Sequence, residues 1–170
     1  MNAKYKKQFG FAHYGHDVYS GADLTIYASG NGEVIECGYD STLGNIVVVR
    51  YNNAYNEKTG KSQDIIMRYY HLASISVSKK ATVTKDTKLG VMGNTGKYSN
   101  GIHLHYEIDT DTDYPCYSPT VGTSGTLIKA GTASTVNPAY FIHTKTSAPD
   151  NQTMSYLNDG YTDAEDKKYK

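Results

Sequence analysis

A chain of 170 residues with 17 Lys and Arg against 17 Asp and Glu is sized for one compact domain, burying about 70% of its extended-chain surface. Its zero net charge lacks the cationic excess that a nucleic-acid binder uses to neutralise phosphates, so no nucleic-acid partner is expected. No apolar run approaches the ~18 residues needed to cross a bilayer, and the lysine-rich start has no apolar stretch behind it, so neither a membrane span nor a secretory signal is expected within the chain.

Along the chain, period-two alternation and β-branched residues dominate. Residues 13–17 (HYGHD) come first and need a turn, because fully extended residues four apart lie roughly 13 Å from one another. Gly15 supplies the backbone freedom for it. A tight turn at 29–32 (SGNG) precedes strands over 32–39 (GEVIECGY), 45–51 (NIVVVRY) and 64–72 (DIIMRYYHL). The polar stretch 52–63 between the last two reads as a hairpin loop. Glycine-rich pieces at 93–96 (GNTG) and 99–101 lead into a fourth strand at 102–108 (IHLHYEI). Beyond it, 109–135 is rich in Asp, Thr, Gly, Ser and Pro and reads as an elaborated surface loop, with a short strand at 126–128. Residues 136–142 (VNPAYFI) offer apolar anchors for a last short turn on the sheet. From 144 onward the sequence is polar and reads as a tail or linker. No convincing amphipathic helix is visible, so the expected class is mainly β, an antiparallel sheet with few short helices.

The 17 tyrosines, against 3 phenylalanines and no tryptophan, suit half-buried strands better than a polysaccharide-stacking platform. Cys37 and Cys116 permit at most one disulfide, and their separation decides nothing about it.

Five of the six histidines fall into three short clusters. On a strand, His103 and His105 stand on one face with Glu107, while Leu104 and Tyr106 face the other way. Two imidazoles and a carboxylate on one face suit a metal or acid–base role. In the first cluster, His13 and Asp17 brought together by a turn offer nitrogen and oxygen donors that zinc accepts together. With one histidine from the strand they would make three ligands and an open position, which is the catalytic rather than the structural pattern. His71 ends the third strand and, taken alone, reads as a half-buried sheet histidine.

Together the clusters resemble the lysostaphin-like, LytM-type zinc metallopeptidases that cut peptidoglycan peptides. The opening H-x-x-x-D resembles 13–17, Y-x-H-L resembles 69–72 (YYHL), and G-x-T-G followed by G-x-H-L-H-[FY]-E resembles 93–96 and 101–107. The pieces 26–28, 32–34, 44–48, 89–90 and the Asn-Pro step at 137–138 fit as well, so the resemblance runs from about Phe9 to Phe141. It implies a single Zn²⁺ held by His13, Asp17 and His105, with water in the fourth position. His71 and His103 would stand beside the metal as catalytic imidazoles, and Glu107 would hold the second ring nitrogen of a histidine. It further implies an open groove floored by the sheet, peptidoglycan peptides as substrate, and an extracellular or cell-wall setting or that of a phage or conjugation lysin, with any signal or anchor outside this chain. The expected organisation is an N-terminal segment or linker at 1–8, a peptidase domain at 9–143 with an insertion at 109–135, and a polar tail or linker at 144–170.

The departures from the pattern are an additional histidine, His16, expected to face solvent, and the long 109–135 stretch, expected to wall the groove. Arg50, Arg68, Tyr98 and the tyrosines near the histidines are further groove candidates, and His143 is expected to be inert. Two other readings are weighed. A catalytically inactive, peptidoglycan-binding or hydrolase-activating relative would have lost a ligand or a catalytic histidine, and all five positions are intact. A cupin-like metal barrel shares H-x-H on a strand but has no H-x-x-x-D opening.

Overall fold

The computed structural model describes residues 15–112 and 135–142, with the backbone of Ser155–Leu157. Eleven strands occur among them: β1 (His16–Tyr19), β2 (Thr25–Tyr27), β3 (Gly32–Asp40), β4 (Gly44–Asn56), β5 (Lys61–Leu72), β6 (Ser74–Ile75), β7 (Thr82–Val83), β8 (Lys88–Val91), β9 (Leu104–Asp109), β10 (Thr135–Val136) and β11 (Ser155–Leu157). The one helical element among the described residues is a 3₁₀ turn at Pro138–Tyr140, capped by the Asn137 side chain, which accepts from the Ala139 N–H. The protein is mainly β and antiparallel, as the alternation in the sequence predicts.

Eight strands form one antiparallel sheet in the order β11-β1-β9-β5-β4-β3-β7, with β10 also on β9, and β2, β8 and β6 form a second, three-stranded sheet. Alternation along the long strands sends Val47, Val49 and Tyr51 of β4, Met67 and Tyr69 of β5, and Leu104, Tyr106 and Ile108 of β9 into one cluster. Ile26 and Leu89 of the second sheet join the same cluster, so the core lies where the small sheet covers one face of the large one. The other face carries a smaller apolar group, Leu43, Ile46 and Tyr70, and nearly all of the chemistry.

All four expected strands are present, with one difference. The stretch 52–63 is not a loop, because β4 runs to Asn56 and β5 starts at Lys61. The polar composition that resembles a loop belongs to a hairpin end whose pairing continues after a register shift between Tyr51 and Ala54. There Asn53 takes a positive φ of 55°, which asparagine tolerates better than most residues. The turn itself is 57–60, where the Asn56 carboxamide oxygen accepts from the N–H groups of Lys58 and Thr59. Within the stretch read as a tail, the backbone of β11 pairs with β1. The strand expected at 126–128 lies outside the described residues. No helix among the described residues is long and apolar enough to cross a membrane.

Among the described tyrosines Tyr98 and Tyr140 are half-buried, and the other eight fall at the extremes. Tyr51, Tyr69, Tyr70 and Tyr106 are buried, whereas Tyr19, Tyr27, Tyr39 and Tyr55 are exposed. The buried hydroxyls are satisfied: Tyr51 and Tyr69 pair at 2.8 Å, and Ser29 Oγ meets Tyr69 at 3.1 Å. Cys37 is a half-buried free thiol, and Cys116 lies outside the described residues.

Because Leu89 is fully buried between the sheets, Leu89→Ala is expected to cost about 2–5 kcal/mol in chemical denaturation. Tyr39→Ser on the exposed surface should stay within about 0.5 kcal/mol of the parent.

Candidate active site

β9 is the spine of the polar face. Its neighbour β1 sets Asp17 opposite His105, and on the other side β5 sets Tyr70 opposite His105 and Arg68 opposite Glu107. Three strands thus place their functional side chains in one row, as alternation requires once the register is fixed.

His105 Nδ1 lies 2.7 Å from Asp17 Oδ1, and its Nε2 lies 3.2 Å from Glu107 Oε1. Carboxylates only accept, so without a metal both ring nitrogens carry protons. Burial opposes that charge, but hydrogen bonds and attraction from Asp17 and Glu107 outweigh it and push the His105 pKa up to about 10. The Tyr70 ring stacks on the imidazole, 5.6 Å between centroids and 3° from parallel. Its hydroxyl reaches Glu107 Oε2 at 3.5 Å.

The network continues under the row. Arg68 is fully buried, with its guanidinium 2.8 Å from Asp109 Oδ2 and 3.6 Å from Glu107 Oε2. The groove role anticipated for Arg68 is therefore incorrect. Its partners are inward-facing carboxylates on the neighbouring strand, and a cation desolvated this far requires them. Arg50 does sit at the surface, 3.4 Å from Asp64.

His71 and His103 complete the cluster. Their rings are 4.8 Å apart, and the His71 ring is 6.0 Å from that of His105. His103 Nε2 lies 3.8 Å from Asp17 Oδ1. Each donates its Nδ1–H to a backbone carbonyl at 2.9 Å, His71 to Thr95 and His103 to Gly101, which fixes the orientation of both rings. Burial, reinforced by His105 and His103, lowers the His71 pKa to about 4, so this ring is neutral at ambient pH. His71 also has φ +65°, a left-handed conformation that costs a non-glycine residue on the order of 1–3 kcal/mol and persists where the surroundings enforce it.

Among the expected site residues, the structure therefore gathers Asp17, His71, His103, His105 and Glu107. His13 lies outside the described residues, as does His143. Among the described residues no third His, Cys, Asp or Glu side chain completes a metal-binding group with two of these. The donor chemistry of Asp17 and His105 nevertheless fits zinc. An imidazole nitrogen and a carboxylate oxygen are aimed at one another across a proton that a divalent cation could replace, and Glu107 already holds the second ring nitrogen.

One expectation needs correcting. His16 does not face solvent. It is buried on the core side of β1, edge-on to Tyr106 with centroids 5.7 Å apart, because alternation with Asp17 turns it inward. Gly15 is also needed for close approach, since a Cβ there would strike the Tyr106 carbonyl oxygen and the His105 ring. Sequence reasoning reached Tyr70 only as one of the tyrosines near the histidines and Thr95 only as part of the 93–96 motif, and it did not single out Asp109. A sharper signal for Tyr70 was its period-two placement beside Arg68, on the same face of the strand.

The sequence profile described as peptidase family M23 matches residues 11–115, and the chain belongs to that family. Over 96 residues it is 34% identical to the peptidoglycan DD-endopeptidase ShyA of Vibrio cholerae, covering 56% of this chain and 20% of that protein. The chain thus spans a fifth of that relative's length. A putative peptidase M23 from Pseudomonas aeruginosa aligns at 26% identity with a TM-score of 0.50, over 76% of this chain and 43% of that one. Lysostaphin from Staphylococcus simulans aligns at 19% identity with a TM-score of 0.56, over 82% and 50%, a likeness of fold.

Arg68→Met leaves the Glu107 and Asp109 carboxylates buried without their cation. A loss of about 3–5 kcal/mol in denaturant titration is expected.

Proposed function

We propose that this chain is a zinc-dependent endopeptidase that hydrolyses peptide bonds in bacterial peptidoglycan, in a cross-bridge or a stem peptide. The observation that carries the reading is the row Asp17–His105–Glu107 flanked by the His71 and His103 imidazoles, each anchored through Nδ1 to a backbone carbonyl. Membership of peptidase family M23 and the likeness to a peptidoglycan endopeptidase support the substrate class.

His13, Asp17 and His105 would hold the ion. When bound, zinc supplies a Lewis acid that polarises the scissile carbonyl and lowers the pKa of an attacking water. The remaining work falls to the protein. Glu107 accepts the Nε2–H of His105 and so directs Nδ1 toward the ion. Tyr70, stacked on the ring, prevents it from rotating. His71 is held neutral, so its Nε2 can take a proton, and His103 on the solvent side of it can stabilise the oxyanion or deliver a proton to the leaving amine. Loss of either imidazole removes a proton carrier without removing a ligand.

The setting that follows from this substrate class is the cell wall, whether the producer's own or another cell's. The test is turnover of purified peptidoglycan, followed by release of new amino groups and by product masses. Chelation should abolish release and added Zn²⁺ restore it. His105→Ala should lose both metal and activity. His71→Ala should keep its zinc while kcat falls about 10²–10⁴-fold. Stoichiometric zinc with no amine release from any peptidoglycan would refute the peptidase reading and indicate a binding module.

A further inference from the structure

His71 sits in a backbone conformation that its own side chain disfavours, and the segments that hold it there come from elsewhere in the chain. Its N–H donates to the Leu43 carbonyl at 3.0 Å, and its carbonyl accepts from the Thr95 N–H at 3.4 Å. The ring Nδ1–H donates to the Thr95 carbonyl at 2.9 Å. Thr95 therefore contacts this histidine through both backbone polar groups, one of them on the ring itself. The threonine hydroxyl anchors the arrangement by donating to the Leu72 carbonyl at 2.7 Å and accepting the Asn45 N–H at 2.9 Å. Asn45 Nδ2 reaches the same Leu72 carbonyl at 2.9 Å and that of Ala73 at 3.3 Å.

This convergence needs three backbones in contact. Gly44 and Gly96 have φ of +77° and +87°. A Cβ on Gly44 would collide with Thr95, one on Gly96 with Gly44 and Leu43, and one on Gly93 with Ala73. The start of β4, the end of β5 and the glycine-rich 93–96 turn are thereby pressed together around one histidine. A hydroxyl is the group the junction requires, because one atom must both donate and accept.

We infer that Thr95, with Asn45 behind it, is the positioning residue of the site: its hydroxyl locks the 93–96 turn so that its carbonyl holds the His71 ring in one tautomer, with Nε2 turned toward His103 and His105. The inference rests on the peptidase reading for its catalytic consequence, but the ring geometry can be measured without it. Thr95→Val keeps the shape and removes the hydroxyl, whereas Thr95→Ser keeps the hydroxyl.

The test uses the zinc-loaded protein and two readouts. Long-range ¹H–¹⁵N NMR of the His71 ring, assigned against His71→Gln, reports the tautomer. Kinetics on peptidoglycan fragments separate kcat from KM. In Thr95→Val the single Nδ1–H signature should give way to a tautomer mixture. Its kcat should fall on the order of 10²-fold, the scale of a small misplacement of a catalytic group, with KM and zinc content unchanged, and Thr95→Ser should restore both readouts. If Thr95→Val does not fold, Asn45→Ala decides in its place. It removes only the side-chain donations to Leu72 and Ala73, and the same direction of change is expected. A wild-type ring signature with unchanged kcat, or a lowered Tm with neither readout moved, overturns the inference. If the parent protein shows no hydrolysis, the peptidase reading fails while the tautomer comparison still judges the clamp.

Discussion

The site depends on the pairing of β9 between β1 and β5. Antiparallel register makes Asp17 and Tyr70 the two cross-strand neighbours of His105, and side chains directly opposite on one face are the closest non-bonded neighbours a sheet offers. A slip of one residue on either side would turn Asp17 or Tyr70 toward the core and bring His16 or an apolar residue into its place. The register is protected against such slips from the opposite face, where Val18, Leu104, Tyr106, Met67 and Tyr69 are buried together. The hydrophobic core thus aligns the polar row without touching it.

A row of buried charge on a sheet is costly unless each group has a partner. Here the order Asp17, His105, Glu107, Arg68, Asp109 alternates in sign when His105 carries both protons. Arg68 is the least exposed of these groups, and it ties the carboxylate that orients His105 to a second carboxylate on the same strand. This gives the row a rigidity that a ligand-bearing imidazole at the surface would lack. It also explains how an arginine with no access to solvent belongs to the chemistry of the site at a distance.

The two flanking imidazoles are controlled differently. His103 takes its orientation from its own neighbourhood, two residues back at Gly101. His71 takes its orientation from the 93–96 turn, more than twenty residues away in sequence, and tolerates a left-handed backbone to do so. A strained residue enclosed by three backbones has few alternatives open to it, which suits a group whose ring must face one way. Glycines at 44, 93 and 96 are the condition for that enclosure, since each occupies a place where a Cβ would collide with a neighbouring segment.

The class of fold was legible in the alternation of the sequence, and so was the shared face of three polar residues on one strand. Period two in 32–39, 45–51, 64–72 and 102–108 forces alternating faces whatever the strands pair with, and it places His103, His105 and Glu107 together before any partner is known. It could not say that β4 and β5 continue through polar residues to a turn at 57–60, because a polar strand end and a loop have the same composition. Tertiary structure alone decided that His16 faces the core, that Arg68 is sealed beneath the row rather than lining it, and that Gly15 is required by the closeness of β9. The reason is common to all three. Alternation says which residues share a face, but only the neighbouring strand says what each face meets.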